Sequence, residues 1–262
     1  MSNLSLTTDA RGIALLTLNR PEVHNAFDDA LINSLLEELR SLSKDSNVRV
    51  LCLTGAGASF SAGADLNWMR RAANFSEEKN TADAHQLAAM LRTLDEFPCP
   101  TLALVNGAAF GGGIGLVAAC DIAIASAQAR FSLSEVRLGL VPATISPYVV
   151  AAIGQRAARR FYLTGERFDA NTAHSIDLVH EVVPHDELKA AGEKMIDTLL
   201  CGGPKAQAVA KNLIKETAPA RDRDYLDAWT ARLIAEIRQT DEATEGLAAF
   251  FDKRPATWKT QR

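Results

Sequence analysis

The chain has 262 residues, 47% of them hydrophobic and 23% charged, with 16 glycines and 9 prolines. That is enough for one large domain or a domain with an appendage, in proportions that exclude collagen-like, disordered and coiled-coil classes. A formal charge of −4 argues against a chain that works by gripping a phosphodiester backbone, which needs a concentrated positive field, so no nucleic-acid partner is expected. No stretch approaches about 18 consecutive apolar residues, and the opening MSNLSLTTDARG has neither the basic nor the apolar region of a signal peptide. The cysteines, Cys52, Cys99, Cys120 and Cys201, form no C-x-x-C pair. They read as buried small hydrophobes in a reducing compartment, and the expectation is a soluble cytoplasmic protein with no metal site and no membrane partner.

Two short strands, Leu4 to Thr7 and Gly12 to Leu18, flank the turn-forming Asp9-Ala10-Arg11-Gly12 and predict a hairpin. From Asp28 to Leu42 the apolar residues Leu31, Ile32, Leu35, Leu36, Leu39 and Leu42 recur at three and four, the spacing of a helix lying on a core. Val48 to Thr54 is a short, β-branched-rich apolar run and reads as a buried strand. The sequence then repeats the pattern. A helix over 82 to 97 ends at Pro98 and Pro100, a strand follows at Thr101 to Val105, a helix at Ile114 to Cys120 and a strand at Asp121 to Ala125. Such alternation implies an α/β fold with mostly parallel pairing and helices packed outside. After about residue 145 only Val179 to Val183 reads as a strand. Residues 186 to 252 are helix formers in three amphipathic segments broken at Gly202-Gly203-Pro204 and Ala218-Pro219. The division expected is a core of residues 1–200 and a helical tail of residues 201–262 that packs on a neighbouring subunit.

Absent motifs narrow the chemistry. The sequence holds no G-x-G-x-x-G after the first strand, no G-x-x-x-x-G-K-[ST], no G-x-S-x-G and no H-E-x-x-H, so dinucleotide binding, P-loop phosphoryl transfer, serine hydrolysis and zinc peptidase chemistry lose support. Two glycine junctions remain, Phe60 to Leu66 and Gly107 to Gly115, each following a buried strand and leading into a helix. Ala62, Gly63, Ala64, Gly111, Gly112 and Gly113 let a ligand approach the main chain, where the first amides of each helix lack internal partners. Donors converging from two such loops make an oxyanion hole. Glycines of this kind also serve backbone geometry alone.

Glu135 lies where the apolar phase switches from Phe131 and Leu133 to Val136, Leu138 and Leu140. A strand continuing regularly would place its carboxyl on the face of Phe131 and Leu133, where desolvation raises a glutamate into the range useful for proton transfer. The competing reading is a solvated carboxylate beside Arg137. His24, His85, His174, His180 and His185 are scattered and read as structural or surface residues. Arg156, Arg159 and Arg160 read as a solvated helix face, as do Arg70 and Arg71, which also stand close enough to the first loop to contact an anionic substrate tail.

Together these residues make the chain similar to the crotonase, or enoyl-CoA hydratase/isomerase, superfamily. The resemblance rests on Leu18-Asn19-Arg20-Pro21 with Asn25-Ala26-Phe27, the Phe60 to Leu66 loop, Asn106 to Asp121, the Glu135 segment ending in Gly139-Leu140-Val141-Pro142, and Phe250-Phe251-Asp252-Lys253-Arg254. It implies a ββα superhelix with a helical C-terminal trimerisation region, assembled as a trimer or a dimer of trimers. It further implies an acyl-CoA whose thioester oxygen sits between the N–H groups of Ala64 and Gly112. Coenzyme A would be bound by Ala62, Gly63, Asp65, Leu66, Asn67 and Gly111, by the stretch near Val23 and Asn25, and by Lys253 of an adjoining subunit, with no separate cofactor. Hydratases of this kind commonly use two glutamates; Glu135 matches the second, and the position of the first is Gly115, which leaves Glu135 alone. The stretches Phe110 to Asp121 and Ser134 to Pro147 are similar to methylglutaconyl-CoA and isohexenylglutaconyl-CoA hydratases of leucine and acyclic terpene catabolism. That implies hydration of a branched glutaconyl-CoA, whose distal carboxylate would meet Arg70 or Arg71. The alternatives are a Δ3,Δ2-enoyl-CoA isomerase using Glu135 as its one base, and a non-catalytic acyl-CoA- or RNA-binding protein of the same fold.

Overall fold

The computed structural model describes residues 3–218 and 221–259. Its first sheet has six strands in the order β1-β2-β3-β5-β7-β10: β1 (Leu4–Thr8), β2 (Ile13–Leu18), β3 (Val50–Gly55), β5 (Thr101–Val105), β7 (Ile122–Ser126) and β10 (Glu181–Val183). β1 and β2 form the expected antiparallel hairpin and every other pairing is parallel. Both faces of the parallel part are covered, so β3 reads as a continuous apolar run rather than an alternation. Val50 and Cys52 pack with Ile13, Leu102, Ile124 and Leu188, whereas Leu51 and Leu53 face Leu16, Leu18 and Ala103 in the main core.

The second sheet was not expected. Its strands, β4 (Ser59–Ser61), β6 (Ala108–Phe110), β8 (Arg130–Ser132) and β9 (Arg167–Asp169), have three residues each, too few to show a period; β4, β6 and β8 are parallel and β9 closes the sheet antiparallel. Aromatic packing holds its far edge, with Phe131 paired to Phe168 across the strands at 5.5 Å between ring centroids and Phe161 against Phe168 at 4.2 Å.

Helices fill the space between and around the sheets. α1 (Asp29–Leu42) buries all six residues that its spacing singled out, and Asp28 caps it by accepting the Leu31 N–H at 2.8 Å. α2 (Leu66–Ala72) is short and exposed, α3 (Glu77–Asp95) buries Met90, Leu91 and Leu94, and α4 (Gly112–Ala119) is buried on nearly every side. α5 (Ser146–Thr164) bends at Gly154, whose φ is +68°, and α6 (Ala170–Ser175) follows β9.

The tail has four helices where the sequence showed three segments: α7 (Leu188–Leu199), α8 (Pro204–Thr217), α9 (Arg223–Arg238) and α10 (Asp241–Phe251). The overlooked break at Gln239 and Thr240 contains neither glycine nor proline; the Thr240 hydroxyl makes it by accepting the Ala243 N–H at 3.2 Å. Pro219 of the expected break lies outside the described residues. α7 covers the outer face of the first sheet, but α8 and α9 fully bury no residue and α10 buries only Ala249. Cys52, Cys99 and Cys120 are buried free thiols as expected, whereas Cys201, at the exposed turn after α7, is not. No helix of the described residues is long and apolar enough to cross a membrane.

Candidate active site

β4, β6 and β8 are adjacent and parallel, so the chain leaves them at one edge of the sheet. β4 leads through Ala62-Gly63-Ala64-Asp65 into α2, β6 through Gly111 into α4, and β8 through Leu133-Ser134 into a 3-10 turn over Glu135–Leu138. Outgoing loops of parallel strands are where α/β sheets gather ligands.

The two glycine loops lie against each other. A Cβ on Gly63 would stand 2.8 Å from the Phe110 carbonyl oxygen, and one on Gly113 would stand 2.7 Å from that of Ser61. Gly111 has φ +48° and ψ −117°, a conformation that a side chain would strain. Asp65 anchors the start of α2: one carboxylate oxygen accepts the Asn67 and Trp68 N–H groups at 2.8 and 3.1 Å, and the other accepts Arg20 at 3.3 Å. Burial pushes this carboxyl up, but those bonds and the Arg20 charge outweigh it and hold Asp65 below the usual carboxylate range.

The direction of two amides follows from these loops. Phe27 and Ala64 form a parallel bridge in which the Phe27 N–H donates to Gly63 O at 2.6 Å and the Asp65 N–H donates to Phe27 O at 2.7 Å. The residues flanking a parallel bridge position make its bonds, which leaves the N–H of Ala64 itself turned the other way. It finds no acceptor among the described residues. Nor does the N–H of Gly112, the first residue of α4, which has no carbonyl one turn back to receive it.

Glu135 stands beside these donors. A Cβ on Gly111 would lie 2.9 Å from its Oε1, and its Oε2 is buried with no hydrogen-bond partner. Burial pushes the Glu135 carboxyl above the usual carboxylate range, opposed by a hydrogen bond from its own backbone N–H. The route to that burial differs from the sequence reading. The strand stops at Ser132, and a 3-10 turn closed by left-handed Gly139 at φ +72° carries the carboxyl to the site. Arg137 is not its partner: the guanidinium Nε donates to Thr164 O at 3.3 Å.

Ala62, Gly63, Ala64, Gly111, Gly112 and Glu135 border one cavity of about 320 Å³, in the range of small-molecule sites. Its other walls are mainly apolar, with Phe27, Ile32, Leu66, Trp68, Met69, Leu87, Leu138, Leu140, Val141 and Ile145. Among the lining residues Glu135 alone is charged; the other side chains with polar atoms are Ser134, Thr144 and Trp68, whose indole N–H is buried without a partner. Of the walls, Phe27, Ile32, Leu66, Leu87, Leu138, Leu140, Val141 and Ile145 lie in stretches the sequence had marked, but Trp68 and Met69 carry no local signal.

Several expected contacts are not brought to this cavity. Arg70 and Arg71 do not line it; Arg70 reaches Asn67 at 3.3 Å and Arg71 pairs with Asp29 at 3.1 Å, because the turns of α2 that bear them face solvent. The Asn25 side chain is consumed in holding its own turn, donating to Ala56 O and Ser59 O at 2.9 and 2.8 Å and accepting the Arg20 N–H at 2.8 Å. Val23 sits in the same turn, Asn67 is exposed on α2, and Lys253 is exposed beyond α10. Three of the five histidines serve structure, His24 pairing with Ser59 at 3.0 Å, His180 accepting the Ala123 N–H at 3.1 Å and His185 pairing with Ser126 at 3.1 Å, and His85 and His174 lie exposed on the surface.

Two unoccupied main-chain donors, one desolvated carboxyl and an apolar recess form a site that can hold an oxygen as it gains negative charge and move a proton beside it. This is the equipment of an enzyme that works through an enolate. Residues 8–261 match the family model described as Enoyl-CoA hydratase/isomerase, and the chain belongs to that family of enzymes. It superposes with a TM-score of 0.95 on the crystal structure of an enoyl-CoA hydratase from Shewanella pealeana, 46% identical, covering 98% of this chain and 96% of that one. The 2,3-dehydroadipyl-CoA hydratase of Escherichia coli is 32% identical over 99% of both chains. The hydroxycinnamoyl-CoA hydratase-lyase of Pseudomonas fluorescens is 35% identical over 93% of this chain and 90% of its own.

Proposed function

We propose that the protein adds water across the α,β double bond of an acyl-CoA thioester, with the thioester oxygen between the N–H groups of Ala64 and Gly112 and Glu135 as the single acid/base. The observation that carries this reading is the pair of unengaged amides beside an unpartnered, buried carboxyl oxygen at one cavity. Hydrogen bonds from the amides strengthen as electron density moves from the double bond to the thioester oxygen, which makes C3 electrophilic; a donor of this kind is worth about 3–4 kcal/mol. Ionised Glu135 takes a proton from water as the water oxygen bonds to C3. The same carboxyl then returns that proton to C2 as the enolate collapses, so atoms and charge balance with no separate cofactor.

Coenzyme A would lie along the main chain of Ala62, Gly63, Asp65, Leu66, Asn67 and Gly111. The turn bearing Val23 and Asn25 braces that loop, since the His24 carbonyl accepts the Ala62 N–H at 2.9 Å. Lys253 would act from a neighbouring subunit of a trimer or a dimer of trimers. Supporting that assembly, and the division at about residue 200, the tail bares Leu247, Phe250 and Phe251 and carries an apolar groove between α8 and α9. The free thiols of Cys52, Cys99 and Cys120 suit a reducing, cytoplasmic compartment.

For the acyl group, the finer reading is a branched glutaconyl-CoA. The stretches 110–121 and 134–147 support it, as does the likeness to an enzyme named for a dehydroadipyl thioester. With no cation in this chain's cavity, its distal carboxylate would have to point to the mouth, and the branch would rest on the apolar walls. The test is to follow the enoyl-thioester absorbance with crotonyl-CoA and 3-methylglutaconyl-CoA. Loss of absorbance is expected, faster with the branched substrate. Gain of absorbance from a 3-enoyl-CoA alone would replace hydration with a one-base isomerisation, and binding without turnover would defeat both.

A further inference from the structure

Gly115 lies three residues after Gly112 on α4, on the same side of the helix as the oxyanion donor. A Cβ built there would stand 2.3 Å from Ile145 Cγ2, 2.9 Å from Ile145 Cβ and 3.5 Å from Leu91 Cδ2. The space beside Gly115 is therefore filled by a neighbour rather than left open. That neighbour is not free to withdraw: the close approach includes the Ile145 Cβ itself, and the residue is 2% exposed at the start of α5. Its carbonyl accepts the Tyr148 and Val149 N–H groups at 3.1 and 3.0 Å, while the Ser146 hydroxyl ties the same turn to Pro142 O at 2.7 Å. Ile145 also borders the cavity that holds Ala64, Gly112 and Glu135.

Resting on the hydratase reading above, we infer that Ile145 is a specificity-determining residue. Its side chain fills the space beside Gly115, one turn along α4 from the oxyanion donor at Gly112, and it forms the part of the cavity wall on which a substituent at C3 of the acyl chain rests. Two consequences follow from the chemistry of that surface. A hydrocarbon wall neither donates nor accepts, so it leaves water handling to Glu135. The same wall makes dispersion contacts that an unbranched chain leaves unused. One methylene group in such a pocket discriminates substrates by about 10- to 200-fold.

The experiment compares kcat/KM for crotonyl-CoA and its 3-methyl and 3-propyl homologues in the wild type, Ile145→Ala and Ile145→Val. Shortening the side chain is expected to shift the ratio of 3-propyl to 3-methyl substrate by at least about 10-fold in favour of the larger group for Ile145→Ala, and by a smaller factor in the same direction for Ile145→Val. The conservative Val variant keeps the test open should the Ala variant fail to fold. A residue that merely packs α5 on α4 would lower kcat/KM for all three substrates by one factor, and an unmoved ratio would overturn the inference. A wild type that turns over none of the three would instead defeat the hydratase reading, so the two failures are distinguishable.

Discussion

Replacing the Glu135 carboxyl by an amide of the same size isolates its charge. Glu135→Gln keeps the volume packed against Gly111, removes the group that shuttles the proton, and substitutes a neutral side chain where the buried Oε2 has no partner. Loss of a positioned general acid/base costs about 10²- to 10⁴-fold in kcat, equivalent to roughly 3–5 kcal/mol of barrier, with little change in KM. In the wild type, kcat/KM rises with pH through a single ionisation above the ordinary glutamate range, because burial raises this carboxyl and only its ionised form takes a proton from water. That limb is absent from Glu135→Gln. Stability moves oppositely. A raised folded-state pKa means that the wild type has its full stability below the unfolded pKa and loses some as pH climbs through the folded one. The amide variant is therefore expected to gain on the wild type in denaturant midpoint above the folded pKa and to match it in acid. Turnover within ten-fold of wild type, or an unchanged pH limb in the variant, would refute the role given to Glu135.

Three further outcomes follow from contacts. Gly112→Ala places a methyl 2.7 Å from the Phe27 ring, so activity is expected to fall at least ten-fold and to recover in part when Phe27→Leu is added; steady-state kinetics of the single and double variants check it. For the same steric reason Gly112→Pro would displace the loop as well as delete the donor. Gly115→Ala is expected to destabilise by about 1–3 kcal/mol through overpacking against Ile145, and a double-mutant cycle with Ile145→Ala in chemical denaturation should show favourable coupling of roughly 1 kcal/mol or more. Thiol labelling under native conditions is expected at Cys201 alone, because burial pushes the Cys52 and Cys99 thiols up to about 12 and 11 and raises Cys120 as well; mass spectrometry of the labelled protein reads the sites.

The first sheet was legible because its strands are five or six residues long over most of its width and its helices bury one stripe; Leu31 to Leu42 announce α1 by spacing alone. The second sheet was not, although it is the one that assembles the site. Three residues such as Ala108, Ala109 and Phe110 show no period, and what makes them a strand is pairing with Ser59–Ser61 and Arg130–Ser132, segments about 50 and 20 positions away. Tertiary context decides such an element, and no local window contains it.

The same distinction separates the readable part of the site from the unreadable. Gly63 and Gly111 stood out because only glycine takes their left-handed backbone, and Glu135 stood out because it broke an apolar phase, even though the phase was broken by the end of a strand rather than by a face change. Arg70 and Arg71 looked equally suited by adjacency in sequence, yet seven residues of helix turn them to solvent. Ile145 carried no chemical signal, and what singles it out is its approach to a glycine 30 positions earlier at the wall of the cavity. A catalytic group announces itself by being unlike its neighbours. An apolar wall residue does not, and it is found only when the bare side of a glycine is followed to whatever fills it.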